Sequence, residues 1–351
     1  MTNGLGGYAS GTVAGPNTRR YHGLLVAALR PPVQRVVLLA ELHASIIGLD
    51  GEPEWLGNPS EMELDGTVPS FRWQLAGRVI ERRIWMEQGH NRTVIGYQLL
   101  SGAPATLRLE PFLAHRPADL HRSQRGAADV RRMADGWEVS LDGMTTYLEA
   151  RPGASVSDAP VWLAVEHPAE RERALDHEED LFSPGMLEHV IQTESALAIV
   201  AGTNPLPVAW SGTDSLAAAR RFQQETLDAL AGGENDAMTR QLALAASQFR
   251  VIRASQGEGK QSAQRSIIAG YPWFADWGRD TMIALRGVTL AAGYPDQARQ
   301  ILKTFIGYLD QGVLPNAFHD PGEATEFNTI DATLWLFQAL HHYLEATGDW
   351  A

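Results

Sequence analysis

Cysteine is missing altogether from this sequence. Its absence excludes disulfides, zinc–thiolate sites and thiol nucleophiles, and it fits the cytoplasm. Long apolar runs are missing too: none approaches the ~20 residues of a membrane span. Positive charge is scarce, with 29 Lys and Arg against 42 Asp and Glu and a formal net charge of −13. That balance disfavours nucleic acid and anionic membranes as partners and is compatible with a neutral substrate. The start, Met1-Thr-Asn-Gly-Leu-Gly-Gly-Tyr-Ala-Ser10, has no basic n-region and no apolar h-region, so no signal peptide is expected. Internal repeats and low-complexity tracts are also absent. What remains is 351 residues, 44% hydrophobic and 20% charged, the profile of a globular chain with two domains or one large one.

Residues 1 to about 210 read as strands. Short β-rich runs recur, among them Val36–Ala40, Val79–Trp85, Thr93–Leu100, Ala105–Leu109, Trp137–Leu141 and Val161–Val165, with Gly, Pro, Asp and Asn between them. Many short strands with turn punctuation predict an antiparallel sandwich. In Val79–Trp85 the alternation sets Glu81 and Arg83 on one face and Ile80, Arg82 and Ile84 on the other. From Ser215 the period changes. Ser215–Ala231 is rich in helix formers, with a serine N-cap and Gly232-Gly233 as the stop. Further helices are expected over Asp236–Arg253, Asp280–Ala292, Pro295–Asp310 and Thr329–Thr347. In the last one Ile330, Leu334, Phe337, His341 and Leu344 share a face, and Trp335, Leu336 and Leu340 add apolar surface elsewhere. A helix apolar on most sides needs partners on most sides.

The densest chemistry lies in Tyr271-Pro-Trp-Phe-Ala-Asp-Trp-Gly-Arg-Asp-Thr281. Flat aromatic faces, a guanidinium fork and a bidentate carboxylate suit a ring studded with hydroxyls. Arg279 and Asp280 would hold adjacent hydroxyls while Trp273 or Trp277 stacks on the apolar face of the ring. The plainer reading is an aspartate at a helix N-terminus paired to an arginine, with tryptophans as core. Asn316, Asn328 and Asp331 form a second group in loops that open or join helices. The plainer reading there is capping, with Asn328 or Thr329 as N-cap and Asp331 near the third helical position. Asp280 and Asp331 also resemble the carboxylate pair of glycoside hydrolysis. Against that, a carboxylate beside Arg279 stays ionised, which suits a hydroxyl acceptor and not a general acid.

Other motifs carry less. Gly4–Gly11 is glycine-rich but lacks the Lys-Ser/Thr of a phosphate loop. Asn17-Thr-Arg-Arg-Tyr-His-Gly23 reads as a hydrogen-bonded turn network. The histidines show no metal spacing, and His341-His342 reads as packing on an apolar helix. Asp320, Glu323 and Glu326 form an acidic loop, solvated or, as the alternative, a calcium site.

Together these residues resemble the bacterial and archaeal glycogen debranching enzymes of the amylo-α-1,6-glucosidase type. The likeness is carried by Thr2–Gly11, Asn17–Leu25, Ile267–Leu285, Pro315-Asn316 and Asn328–Ala332. It implies a β-sandwich (a supersandwich) over residues 1–214, a linker helix over 215–235, and the first part of an (α/α)6 toroid over 236–351. It implies hydrolysis, with inversion, of the α-1,6-linked glucose at a branch of glycogen or limit dextrin, without a cofactor. Trp273, Trp277, Arg279, Asp280, Asn316, Asn328 and Asp331 would bind substrate. The family's general acid and base are expected beyond residue 351, so the chain reads as truncated at both ends and inactive by itself. Competing readings are another toroidal enzyme, either a glucoamylase-like hydrolase or a disaccharide phosphorylase, and a non-catalytic carbohydrate-binding protein.

Overall fold

The structure is a computed structural model that describes residues 1–13, 15–47, 51–230, 236–254, 264–318 and 326–350. The chain divides into two compact units. Unit 1 holds Met1, Tyr8–Ala27 and Val36–Ala219, and unit 2 holds Thr2–Gly7, Ala28–Arg35 and Arg220–Ala351.

The strands in chain order are β1 (Tyr8–Ser10), β2 (Gly23–Arg30), β3 (Val33–Ile47), β4 (Pro53–Trp55), β5 (Glu61–Asp65), β6 (Val68–Leu75), β7 (Arg78–Met86), β8 (Arg92–Ser101), β9 (Ala105–Pro117), β10 (Asp129–Met133), β11 (Gly136–Leu141), β12 (Met144–Arg151), β13 (Ser155–Glu166), β14 (Glu178–Ile191) and β15 (Ala196–Gly202). One sheet runs β1-β2-β3-β9-β14-β13, with β4 beside β3. The other runs β10-β11-β12-β15-β8-β7-β6-β5. The described pairings within both sheets are antiparallel. The inner faces share one apolar core, with Leu25, Leu38, Leu107 and Leu109 from the first sheet and Ile80, Ile95, Trp137 and Ile199 from the second. Each fully buried Leu or Ile contributes about 1.5–3 kcal/mol, so the period-2 patterning is what holds the two sheets together.

The alternation on β7 is the predicted one. Ile80 and Ile84 point into the core, and Arg82 shares their side. It is kept there by stacking on Phe71 and Trp73, with its guanidinium 4.8 and 5.0 Å from the ring centroids. The Asn17–Gly23 loop is fastened inside unit 1. Asn17 Nδ2 donates to the Ala40 carbonyl at 3.0 Å, Glu41 accepts from the Asn17 N–H at 2.8 Å, and Arg19 pairs with buried Glu170 at 3.1 Å.

The helices are α1 (Pro168–Glu172), α2 (Gly212–Asp228), α3 (Ala237–Ser247), α4 (Gly278–Leu285), α5 (Pro295–Ile306) and α6 (Asp331–Thr347). Asp236 caps α3, accepting from the N–H groups of Met238 and Thr239. Pro295 opens α5, and Gly348, at φ 67°, ends α6 in the left-handed conformation that closes many helices.

Two expectations about unit 2 need correction. The helix predicted over Asp236–Arg253 stops at Ser247, and Arg250–Arg253 is strand β16, paired with β17 (Gln264–Ile267). This pairing buries Val251 and brings Arg253 onto Asp276. The helix predicted over Asp280–Ala292 is α-helical only to Leu285 and continues as a π-helical turn over Arg286–Leu290. There the Thr289 hydroxyl donates back to the Leu285 carbonyl at 2.5 Å, the kind of side-chain insertion that disturbs a helical ladder. On α6 the buried residues are Ala332, Leu336, Ala339 and Tyr343, whereas Ile330, Leu334, Phe337 and His341 are exposed. The inner side alternates small and large residues, and Ile330, Leu334 and Phe337 are left outside.

Candidate functional site

The cluster sits where two helices of unit 2 begin. On α4 the buried positions are Gly278, Thr281, Met282 and Leu285, a helical i, i+3, i+4, i+7 stripe. Arg279 and Asp280 therefore lie off that stripe in the first turn. On α6 the buried stripe starts at Ala332, which leaves Asp331 at the rim beside it. Met282 and Leu285 share a core with Ala332 and Leu336, so packing draws the two helix starts together. Arg279 Nη1 lies 3.4 Å from Asp331 Oδ2, and Arg279 Nε lies 3.9 Å from Asp280 Oδ2. All three side chains are partly exposed.

The expected cap of α6 is not formed. Its N-cap is Ile330, without a side-chain bond, and Asp331 is the first helical residue and not the third. Asp331 instead accepts a hydrogen bond from the Thr329 hydroxyl. That bond, with Arg279 behind it, holds the Asp331 carboxyl below the usual carboxylate range. It is an ionised acceptor at neutral pH.

Asn316 contributes its backbone. Its carbonyl accepts from the Gly278 N–H at 2.8 Å, and its N–H donates to the Glu326 carbonyl at 2.8 Å. Asn328 Nδ2 donates to Glu326 Oε2 at 3.1 Å. This crossing demands glycine at 278, because a Cβ there would stand 2.2 Å from the Pro315 carbonyl oxygen. Trp277 pairs with Ala317 and meets Phe274 edge to face at 5.7 Å. Trp273 is half exposed. The structure thus gathers Arg279, Asp280 and Asp331, with the Asn316 backbone at the foot of α4, while Asn328 turns to Glu326. Asp320 and Glu323 of the acidic loop lie outside the described residues.

Two supports were not legible in the sequence. Beneath the loop, Asp276 is fully buried and meets Arg253 at 2.5 Å, and Arg253 stacks on Phe318 at 4.1 Å. Burial pushes the Asp276 carboxyl upward, and Arg253 opposes that shift. Beside it, Arg35 Nη1 donates to the Pro272 carbonyl at 2.8 Å and the guanidinium lies over Tyr271 at 5.0 Å. These partners are 23 and 237 positions apart, and no local pattern announces such pairs. His341, expected to pack, is exposed, and His342 accepts or donates with Gln338 at 3.0 Å. Among the described residues no group of His, Asp and Glu could hold a metal ion, and no helix is long and apolar enough to cross a membrane.

The class of the protein is given by the family models that it matches. Residues 1–197 match the model for the glycogen debranching enzyme N-terminal region, and residues 244–351 match that for amylo-α-1,6-glucosidase. The first match covers more than half of the chain, which therefore belongs to the glycogen debranching enzyme family, a glycoside hydrolase type. A glycogen debranching enzyme of Saccharomyces cerevisiae is 35% identical over 89 residues, which are 24% of this chain and 6% of the yeast protein. A solved structure assigned as kojibiose phosphorylase, from the human microbiome, superposes with a TM-score of 0.50 at 10% identity, covering 94% of this chain and 50% of that one. At that identity the likeness speaks for the fold alone. A bacterial glucoamylase solved with acarbose aligns with a TM-score of 0.47 at 10% identity, over 90% of this chain and 52% of that one. The chain spans about half the length of these solved relatives and a small part of the yeast protein.

Proposed function

We propose that this chain is a fragment of a glycogen debranching enzyme, and that the cluster at the starts of α4 and α6 grips the α-1,6-linked glucose at a branch of glycogen or limit dextrin. The carrying observation is Arg279 poised between Asp280 and Asp331, at 3.9 and 3.4 Å. A guanidinium flanked by two carboxylates offers donors and acceptors at fixed spacing to neighbouring hydroxyls of one ring. Trp273 and Trp277 would supply the apolar face, with Asn316 and Asn328 at the rim. In this reading residues 1–214 are the supersandwich, 215–235 the linker helix, and 236–351 the opening of the (α/α)6 toroid.

The cluster supports binding and not proton donation. Inverting hydrolysis needs one protonated carboxyl and one base about 6.5–9.5 Å apart. Asp331 is held ionised, so it serves as an acceptor. The acid and base belong to residues beyond 351, and the parent protein acts in the cytoplasm. Phosphorolysis gains no support here, because the cation of the cluster faces two carboxylates that would repel phosphate. Glucose release from limit dextrin by the full-length parent tests the reading. Asp280→Asn is expected to lower kcat/KM by roughly a hundredfold. Near-normal kinetics would return Asp280 to a helix-start role only.

A further inference from the structure

Unit 1 carries a cavity of about 560 Å3 on the outer face of its eight-stranded sheet, lined by none of the residues of the α4–α6 cluster. Its origin is readable in the register. Arg83 on β7 pairs with Gly96 on β8, Gly96 with Ala198 on β15, and Ala198 with Arg151 on β12. Large, small, small, large across four strands makes a trough with two arginines as its sides, about 14 Å apart at three strand spacings. The next row, Glu81–Gln98–Ala196, continues the trough with another small residue on its floor.

One end of the trough carries two indoles, Trp210, which is partly exposed, and Trp85, which is buried. The Trp85 ring lies over Gly96, within 3.1 Å of where a Cβ would stand, so any other residue at 96 would displace it. Trp85 Nε1 donates to Ser215 Oγ at 3.0 Å, and Ser215 Oγ donates to Glu87 Oε1 at 2.6 Å. Trp210 Nε1 donates to the same Glu87 oxygen at 2.7 Å. Both indoles are thus locked before any ligand arrives, which lowers the entropic cost of binding. The charges along the trough are internally balanced. Arg83 pairs with Glu81 at 2.7 Å, and Arg151 pairs with Asp135 at 3.0 Å and Glu149 at 2.8 Å. A trough of balanced ion pairs has no surplus of cations to hold phosphate or nucleic acid. It retains spare guanidinium and amide N–H donors and carboxylate acceptors around an apolar floor.

We propose that this trough is a second carbohydrate site, on the sandwich, which binds a neutral oligosaccharide: an unbranched stretch of α-glucan. The choice of α-glucan rests on the function proposed above, whereas the sugar chemistry rests on the trough itself. A chain held here would tether a polymeric substrate and raise its local concentration at a second site on the same molecule.

The test is electrophoresis of the 351-residue chain through gels containing glycogen, with calorimetry against maltoheptaose. Ala196→Trp fills the floor from an exposed position and is expected to weaken glycogen retardation at least about tenfold, with an unchanged melting temperature. Asp280→Ala, which removes the proposed glucose grip, is expected to leave most of the retardation in place. Inorganic phosphate is expected not to compete. Should Ala196→Trp melt early, the solvent-side double variant Arg83→Ala/Gln98→Ala gives the same reading. The proposal is overturned if both trough variants bind as the unaltered chain does, if Asp280→Ala alone abolishes binding, if phosphate competes, or if the unaltered chain binds no glucan. Kinetics of Asp280→Asn in the full-length parent judges the function proposed above separately.

Discussion

At the scale of single residues, unit 2 depends on pairs whose members must both be present. Asp276 and Arg253 are buried and bonded at 2.5 Å. Removing the carboxylate leaves a guanidinium uncompensated in the interior, which typically costs about 3–5 kcal/mol. Asp276→Asn is therefore expected to lower the urea midpoint of unit 2, and an unchanged midpoint would mean that the pair contributes nothing net. Arg279 makes a different demand. It reaches Asp280 and Asp331 from two separate nitrogens, Nε and Nη1. A lysine keeps the charge but presents one point instead of a fork. Arg279→Lys in the full-length parent should raise KM for limit dextrin and lower kcat/KM, and equal constants in both proteins would show that the fork geometry is irrelevant.

At the scale of elements, the starts of α4 and α6 are held by backbone as much as by side chains. Gly278 passes so close to Pro315 that a methyl group would sit 2.2 Å from its carbonyl oxygen. Gly278→Ala should destabilise unit 2 by about 2–3 kcal/mol through overpacking, measured by thermal melts, and wild-type stability would show that the crossing yields easily. Helix α6 presents the opposite situation on its outer side. Ile330, Leu334 and Phe337 are 76, 62 and 66% exposed. An apolar strip of this kind favours association. Light scattering over a concentration series should show self-association of the chain and its reduction in Leu334→Ser/Phe337→Ser. Identical scattering from both proteins would remove the strip as the cause.

At the scale of the whole molecule, acid should attack unit 1 through histidines kept neutral by burial. His115 bonds Thr146 at 2.8 Å with Arg122 and Asp142 nearby, and desolvation lowers its pKa from 6.5 to about 4. His167 bonds His121 at 2.9 Å, with Glu179 at 3.8 Å and Arg116 opposing a positive charge, and its pKa likewise falls to about 4, chiefly through desolvation. A depressed folded pKa means that the unfolded chain binds the proton first. Stability from these two groups is complete above about pH 6.5 and is lost as pH falls toward 4, by up to about 3 kcal/mol each. Denaturant melts at pH 7, 5.5 and 4.5 should show this decline, with a shallower slope in His167→Gln. A flat profile over that range would show that neither histidine is coupled to folding.

The sequence by itself determined a good deal. Short β-rich runs bounded by Gly, Pro, Asp and Asn marked six strands where strands occur, because a buried sheet leaves branched and apolar residues in its strands and turn formers between them. The Tyr271–Thr281 loop and the glycine-rich start carried the family likeness because close crossings such as Gly278 tolerate few residue types. Tertiary structure decided the rest. Which side of α6 faces inward was not legible, because the helix is apolar on most sides; packing selected Ala332, Leu336, Ala339 and Tyr343. Arg250–Arg253 became a strand because a partner strand and a buried aspartate outweighed weak helical propensity. Asp331 met Arg279 across 52 positions, and the trough on the sandwich arose only when Arg83, Gly96, Ala198 and Arg151 were aligned by register. Local patterns record what each residue prefers; they do not record which distant residue will stand beside it.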